Sequence, residues 1–407
     1  MSLVQDKILL LKGKVQPYAW GGYNFIANWL GTENTQHKPY AEYWMGAHPS
    51  ASSVVVTRNG ELSLHQLIHD YPEEFLSTHV RQHFNELPYL FKILDVQDML
   101  SIQVHPTKEA AAKGFHEEEA AGITLGAPNR NYKDKNHKPE VMVALSDFWL
   151  LHGFLPEEKL LHVLQTIPEF AGLDNIFKKG GYKALYQHAM SMDQDEVNEM
   201  LMPLVQRELE RKKKGELTKT DPGWWVAKLF EGTGHIDDID RGVFSIYFFN
   251  IVEVHEGEAI FQGAGIPHAY LEGQNVELMA NSDNVLRGGL TPKHVDVPEL
   301  LKHTAFKGIE PNVMKGEEVS QSVTNYPCPV PDFGINKISL RANERLESSA
   351  TSLEIWVLMK GEASFECENK NVAAKKGQAV AILPNDKFTV TAHKDTLMYK
   401  AFVPEAE

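Results

Sequence analysis

The chain is poor in cysteine. Its 407 residues include only two, Cys328 and Cys367. A secreted protein of this size would carry more cysteines, in pairs that form disulfides. We therefore interpret both as reduced thiols and expect a cytoplasmic protein.

Long apolar runs are also missing. No segment approaches the roughly 20 apolar residues that a membrane-spanning helix needs. The apolar run at residues 8–11 is too short for a signal sequence and is typical of a first strand. We therefore expect no membrane segment and no membrane partner.

Positive charge is in deficit. Lys and Arg total 40 against 55 Asp and Glu, which gives a formal net charge of -15. A nucleic-acid-binding protein needs a basic face, so this class of function is excluded. An anionic small molecule has to be received by locally placed Lys or Arg, against an unfavourable overall field.

Hydrophobic residues make up 43% of the chain, which is enough for a large core and more than one domain. Strand-like runs dominate until about residue 151, and apolar residues at helical spacing dominate between residues 156 and 231. Strand-like runs then return, beginning with residues 244–249. The clearest early strands are residues 53–57, 90–96 and 140–145, and helical patches interrupt them at residues 64–70 and 108–113.

Three short motifs offer candidate ligands for one divalent metal ion. They are residues 103–106, 136–140 and 265–270. Gln103 and His105 lie two apart in an extended-looking run, so their side chains would share one face of a strand. Together with Glu140 and His268 they supply two oxygen donors and two imidazoles, a set that suits zinc or a similar first-row metal.

Each candidate ligand also has a simpler structural interpretation. A lone His in a turn, such as His268, is more often a surface or hydrogen-bonded residue, and an isolated Gln103 would more often bond within a strand. The coincidence of all four candidates reverses that interpretation. His137 has the wrong strand phase relative to Glu140, so we expect it to be structural, and His48 remains an alternative residue of the site.

The ligand order predicts the topology. Gln103, His105 and Glu140 precede the helical region, whereas His268 follows it. If all four hold one ion, the two flanking segments belong to one β-barrel. The helices are then an insertion into that barrel.

The same motifs resemble those of the type I phosphomannose isomerases, over nearly the whole chain. Residues 132–140 are similar to the family's signature, and residues 100–106 to its first metal segment. Residues 265–270 and 277–287 are similar to its third. The resemblance implies one zinc ion per chain and an active-site arginine at Arg287. It implies zinc ligands at Gln103, His105, Glu140 and His268.

The resemblance also implies a mainly β fold of the cupin type. A catalytic jelly roll of residues 1–151 and 236–310 is interrupted by an all-α insertion of residues 152–235. A C-terminal jelly roll without metal ligands follows at residues 311–407. A weak internal repeat supports this second unit. Asn385-Asp386 follows the proline turn of the second unit, at the place where His268 follows the proline turn of the first unit.

The implied activity is an aldose–ketose isomerase that interconverts mannose 6-phosphate and fructose 6-phosphate. Moving the carbonyl between C1 and C2 passes through an enediol or enediolate. The site therefore needs a base, a proton donor and a cation near the developing charge. The candidates for these roles are Lys138, Glu277, Asp283 and Arg287. The candidates for contacts with phosphate and hydroxyl groups are Ser101, Lys92 and Lys293.

The sequence does not decide which of Glu277, Asp283 and Lys138 transfers the proton. Two other functions also fit part of the pattern. A non-catalytic cupin would keep the metal and bind sugar phosphates, but it needs no proton-transfer residues. An iron-dependent oxygenase would show two His and one carboxylate with open positions, without Gln103. We therefore expect an isomerase that acts as a monomer on a small-molecule sugar phosphate.

Overall fold

The computed structural model describes residues 6–57, 60–234, 236–368, 370–384 and 387–405. Within these ranges the chain forms 23 β-strands, 11 α-helices and one short 3-10 helix, so the protein is mainly β. Asn385 and Asp386, at which the sequence predicts the loss of a metal ligand, lie outside the described residues.

The strands are β1 (Ile8–Lys12), β2 (Lys14–Gln16), β3 (Glu42–Gly46), β4 (Val54–Thr57), β5 (Gly60–Ser63), β6 (Tyr89–Val96), β7 (Gln103–Val104), β8 (Glu140–Ala144), β9 (Phe148–Phe154), β10 (Phe249–Val254), β11 (Ala259–Gln262), β12 (His268–Ala280), β13 (Leu286–Arg287), β14 (Glu317–Ser320), β15 (Val323–Tyr326), β16 (Gly334–Leu340), β17 (Arg345–Ser349), β18 (Glu354–Lys360), β19 (Glu362–Cys367), β20 (Lys370–Lys375), β21 (Ala379–Ile382), β22 (Lys387–Ala392) and β23 (Thr396–Phe402). The α-helices are α1 (Phe25–Leu30), α2 (Leu64–Asp70), α3 (Pro72–Phe75), α4 (Thr78–His83), α5 (Lys108–Ala120), α6 (Glu157–Thr166), α7 (Leu173–Ser191), α8 (Gln194–Lys213), α9 (Pro222–Phe230), α10 (Gly242–Phe248) and α11 (Val297–His303). The 3-10 helix is Pro168–Phe170.

The long strand β12 joins two sheets. Its second half pairs with β6 and β8, and this sheet continues through β3 to β2 on one side and to β11 on the other. Its first half pairs with β7 and β9, which lead on to β13 and β10. Apolar side chains from both sheets, among them Leu94, Met142 and Leu150, pack together between them. β12 therefore lies where the two sheets meet.

The helices between β9 and β10 cover the outer face of one of these sheets. Their buried side chains form a single core with residues of β7, β9, β12 and β13. Trp225 of α9 is fully buried, and its ring lies 5.9 Å from that of Trp149 on β9. β9 precedes the helices and pairs directly with β10, which follows them. Among the described residues, none of the helices has both the length and the apolar character to cross a membrane.

The rest of the chain forms a second pair of sheets. A nine-stranded sheet has the order β14-β15-β16-β23-β18-β21-β1-β4-β5, and a four-stranded sheet has the order β17-β22-β19-β20. Apolar residues such as Trp356, Phe365 and Phe388 pack between the two. The other face of the nine-stranded sheet shares a large core with β3, β6, β8 and β12. The N-terminal strands β1, β4 and β5 thus belong to a sheet that is mostly C-terminal.

Most of the strong sequence patterns are confirmed as elements. The strands predicted at residues 90–96 and 140–145 are β6 and β8, and the helix predicted at residues 64–70 is α2. The strand predicted at residues 244–249 is wrong, because α10 covers most of this segment. Every residue of α10 is buried, so it has no polar face from which a helical period can be detected.

Gly273 of β12 provides a test of how the two sheets are joined. Its φ of +127° is one that L-residues rarely adopt, and a Cβ there would lie 2.7 Å from the carbonyl oxygen of Asp147. We expect Gly273→Ala to lower the free energy of unfolding by about 2–4 kcal/mol, through strain and overpacking. Gly122→Ala is the control, because Gly122 also has a positive φ but nothing within 4 Å of the added carbon. Urea denaturation of both variants measures the difference, and equal losses would contradict the steric explanation.

Candidate metal centre

Three strands bring the candidate ligands together. His268 is the first residue of β12 and lies opposite Gln103 of β7 in antiparallel register. Glu140 is the first residue of β8, which flanks the second half of β12. His105 follows β7 directly, and its carbonyl accepts a bond from the backbone N–H of Gly265. Because directly opposed residues of antiparallel strands project to the same face, Gln103 and His268 share a face.

The two imidazoles converge on one carboxylate. His268 Nε2 lies 3.2 Å from Glu140 Oε2, and His105 Nε2 lies 3.6 Å from Glu140 Oε1. One ligand atom from each of these three residues lies within 4.8 Å of the others. All three side chains are buried, His105 completely. The group has the donor types and the spacing to hold one metal ion.

Hydrogen bonds determine which imidazole nitrogens are available. His105 Nδ1 donates to the carbonyl of Asn284 at 2.8 Å, and His268 Nδ1 donates to the carbonyl of Ile266 at 2.9 Å. A carbonyl can only accept, so each ring carries its proton on Nδ1. Both Nε2 atoms are buried without a hydrogen-bond partner in the described part of the chain. Two lone pairs therefore face a carboxylate, an arrangement that a cation between them would satisfy.

The protonation states agree with this geometry. Burial, only partly offset by Glu140, lowers the pKa of His105 to about 4, so this imidazole is neutral at pH 7. Burial alone would raise the pKa of Glu140, but the ammonium of Lys138, 3.1 Å away, helps to hold that pKa well below its ordinary value. Neutral imidazoles and an ionised carboxylate are the forms that bind metals.

Asn284 holds this site in shape through side chain and backbone together. Its carbonyl orients His105, as described above. Its side-chain amide donates to the carbonyls of Asp134 and Asn136, and its side-chain oxygen accepts from the backbone N–H of Lys133. The loop that leads into β8 is thereby fixed to the loop that follows β12. Asn284 is not among the predicted site residues, because no local pattern marks a residue that acts across two loops.

A buried polar network extends along β12 from the imidazole cluster. Lys92 Nζ donates to Glu277 Oε2 at 3.0 Å, and the two residues lie opposite each other on β6 and β12. Tyr270 donates to the other oxygen of Glu277 at 2.8 Å and accepts a bond from Gln262. Burial raises the pKa of Glu277, and Lys92 opposes this shift. Gln262 and Tyr270 are not among the predicted site residues either.

Arg287 lies on the other side of Gln103. It is opposite Gln103 in the β13–β7 pair, so Gln103 is flanked by His268 and Arg287. Its guanidinium has neither an ion pair nor a hydrogen bond to any residue that the structure describes. Burial, with a contribution from Arg287, lowers the pKa of Lys293, which is an exposed residue. Ser101 adjoins this region, because the N–H of Ile102 donates to the carbonyl of Gly289.

Asp283, His48 and His137 each have a direct partner. His48 Nε2 lies 3.3 Å from Asp283 Oδ2, and this contact is the main reason why the pKa of Asp283 is lowered. The backbone N–H of Asp283 donates to Asp134. His137 Nε2 lies 3.0 Å from Asp332, away from the imidazole cluster. His48, the alternative residue of the site, thus lies beside a predicted catalytic residue. His137 links the first part of the chain to the C-terminal part.

The predicted residues therefore fall into four groups. His105, Glu140 and His268 converge, with Gln103 beside them and Lys138 in contact with Glu140. Lys92 and Glu277 form a buried ion pair. Arg287, Lys293 and Ser101 lie together near the outer side of Gln103, whereas Asp283 is paired with His48.

Known proteins are similar to this chain in sequence over nearly its whole length. Residues 8–157 match the family model of the phosphomannose isomerase type I catalytic domain. The mannose-6-phosphate isomerase of Escherichia coli is 34% identical in an alignment of 394 positions, which covers 94% of this chain and 97% of that protein. The human mannose-6-phosphate isomerase is 33% identical in an alignment of 434 positions, which covers 98% of this chain and 99% of that protein.

A solved structure also matches over nearly the full length. The mannose 6-phosphate isomerase of Salmonella typhimurium, bound to its substrate fructose 6-phosphate and to zinc, has a TM-score of 0.87 and 31% sequence identity. The match covers 98% of this chain and 100% of that one. Sequence and structure agree along the whole length, and the chain therefore belongs to the type I phosphomannose isomerase family.

Proposed function

We propose that this chain is a zinc-dependent aldose–ketose isomerase that interconverts mannose 6-phosphate and fructose 6-phosphate. The observation that carries the proposal is the pair of buried imidazole nitrogens, unpartnered within the described residues, that face Glu140. Relatives that bear this activity in their names match nearly the full length, and one was solved with substrate and zinc. The buried Lys92–Glu277 pair and Arg287, which has no ion-pair partner among the described residues, then supply the charges that an enediolate reaction needs.

We assign one zinc ion to Gln103, His105, Glu140 and His268. The bound ion would polarise a substrate oxygen as a Lewis acid, or hold the substrate in place. Gln103 is included because it lies opposite His268 in register, with its side chain on the same face. The carbonyl partners of His105 and His268 keep both rings in the tautomer that leaves Nε2 available.

Glu277 is our first candidate for the proton-transfer group. Burial raises its pKa, and a general base works best when its pKa approaches the working pH. Asp283 has a lowered pKa and is bound to His48, so it is a weaker base. Lys138 lies against Glu140 at 3.1 Å, which suits a role facing the substrate oxygens. Lys92 would face those oxygens from the opposite side.

The substrate phosphate fits the region of Lys293 and Ser101, next to Arg287. Arg287 has no carboxylate partner among the described residues, and Lys293 is an exposed cation close to it. The ammonium of Lys293 can then receive the phosphate, while the permanently charged guanidinium of Arg287 faces the enediolate. The charge of Lys92, by contrast, is already balanced by buried carboxylates. We therefore favour hydroxyl contacts over phosphate contacts for Lys92.

We further propose that the two pairs of sheets are jelly rolls of the cupin type. The catalytic unit would comprise residues 1–151 and 236–310, with the all-α insertion at residues 152–235 and the second unit at residues 311–407. The pairing of β9 with β10 across the helices supports the insertion. Strands β1, β4 and β5 fall within residues 1–151 but pair in the sheet of the second unit. A monomeric, cytoplasmic protein remains our expectation.

The ligand assignment predicts that His268→Ala loses bound zinc. Removing one of two imidazoles from a site with few ligands should lower zinc affinity by about 10–100-fold or more. Zinc content after dialysis, measured by mass spectrometry, should fall well below one ion per chain, and turnover should fall with it. His303→Ala is the control, since His303 is partly buried but bonds to Tyr132 and Glu299. Retention of zinc at the wild-type stoichiometry in His268→Ala would contradict the assignment.

The catalytic role of Arg287 is tested in a coupled assay of fructose 6-phosphate formation. The wild-type chain loaded with zinc should turn over mannose 6-phosphate, whereas a non-catalytic sugar-phosphate binder would show full zinc occupancy without turnover. Arg287→Ala should keep its zinc and lose about 100–1000-fold in kcat/KM, as expected for a cation that faces developing charge. Arg345→Ala, at an exposed position of β17, is the control. Near-normal turnover of Arg287→Ala would remove this residue from the catalytic site.

A further inference from the structure

Glu42, Trp44 and Lys92 form a compact buried unit in the candidate active site. Glu42 and Trp44 lie on the same face of β3, and Lys92 lies opposite Trp44 on β6. The indole N–H of Trp44 donates to Glu42 Oε2, and Lys92 Nζ lies 3.5 Å from the same oxygen. Lys92 Nζ also lies 5.2 Å from the centroid of the Trp44 ring. A carboxylate and an aromatic face thus hold the ammonium from two sides.

The same unit occurs a second time in the nine-stranded sheet. Glu354 and Trp356 lie on the same face of β18, and Lys400 lies opposite Trp356 on β23. The indole N–H of Trp356 donates to Glu354 Oε2 at 2.8 Å, and Lys400 Nζ donates to Glu354 Oε1 at 3.1 Å. Lys400 Nζ lies 5.5 Å from the centroid of the Trp356 ring. Residue types, strand spacing and register are the same in both copies.

The two copies differ on the strand that flanks the lysine on its other side. Lys92 faces Glu277 of β12 at 3.0 Å, whereas the residue opposite Lys400 on β16 is Asn336. The copy with Asn336 belongs to a sheet that contains none of the proposed metal ligands. The shared part, a Glu held by a Trp and bound to a Lys, therefore does not depend on a catalytic site. Glu277 is what the candidate active site adds to it.

The additional carboxylate gives Glu42 a distinct task. Lys92 is buried and has two carboxylates within 3.5 Å, of which one is our candidate for proton transfer. If Glu277 were its only counter-ion, each proton transfer would leave a buried ammonium unbalanced, at high cost. Glu42 accepts a bond from Trp44, so its carboxylate is fixed in direction and stays next to Lys92. Lys92 then keeps one constant counter-ion while Glu277 exchanges its proton.

We propose that Glu42 and Trp44 are positioning residues for the isomerase reaction, and that they act through Lys92. Trp44 orients Glu42, Glu42 holds the ammonium of Lys92, and Lys92 keeps its place beside Glu277 and the substrate. This inference rests on the proposed function. It assigns no substrate contact to Glu42 or Trp44, so their loss affects the chemical step and leaves phosphate binding intact.

The duplicate unit supplies matched controls for a test. Trp44→Phe removes the indole N–H and keeps an aromatic ring, and Trp356→Phe makes the same change in the other copy. We expect Trp44→Phe to lower kcat about tenfold, the factor that corresponds to one hydrogen bond to a charged group, with KM within about twofold of wild type. Trp356→Phe should lower Tm about as much as Trp44→Phe does, but it should leave kcat and KM unchanged. Both variants should bind zinc as wild type does.

A second pair of variants provides the test if Trp44→Phe fails to fold. Glu42→Gln keeps the size of the side chain and removes the constant counter-ion, so kcat should fall by about 100-fold at an unchanged zinc content. Glu354→Gln is its matched control and should keep wild-type kcat. Wild-type kcat in both Trp44→Phe and Glu42→Gln, or equal losses in the two control variants, would overturn the positioning role. A zinc-loaded wild type without turnover would instead overturn the proposed function itself.

Discussion

The structure depends most on one buried cluster, in which the imidazoles of His105 and His268 face the carboxylate of Glu140. The Nδ1 atoms of His105 and His268 are committed to backbone carbonyls, and their Nε2 atoms face Glu140 without a hydrogen-bond partner among the described residues. Lone pairs and a negative charge in a medium of low polarity repel one another. A divalent cation converts this repulsion into attraction, and the nearby charges are arranged around that position.

The fold creates this cluster by means of one strand. β12 supplies His268 at its start and Glu277 further along, and it pairs in succession with the strands that carry Gln103, Glu140 and Lys92. The sheets on both sides share an apolar core, so the ligand positions are fixed by packing as well as by hydrogen bonds. Because β9 and β10 pair across the helical segment, those helices enlarge the protein without separating the ligands.

The sequence reveals the candidate metal ligands better than it reveals the residues that surround them. His105, Glu140 and His268 stand in short local motifs, and donor chemistry alone limits what such motifs can bind. Trp44, Tyr270 and Asn284 gain their roles only from register and loop contacts, which no local pattern encodes. The prediction for residues 244–249 is wrong because a helix buried on all sides has the same apolar composition as a buried strand. Strands β1 and β4 join a distant sheet for a comparable reason, since pairing over a long sequence separation leaves no periodic signal.

A titration of the metal-free chain with zinc tests the role of the buried imidazole cluster most directly. Bound zinc and turnover of mannose 6-phosphate are measured in the same samples. We expect turnover to rise in proportion to bound zinc and to reach its plateau at about one ion per chain, the stoichiometry of a single site with these ligand types. Full turnover in the metal-free chain, or an occupied site that gives none, would contradict this role.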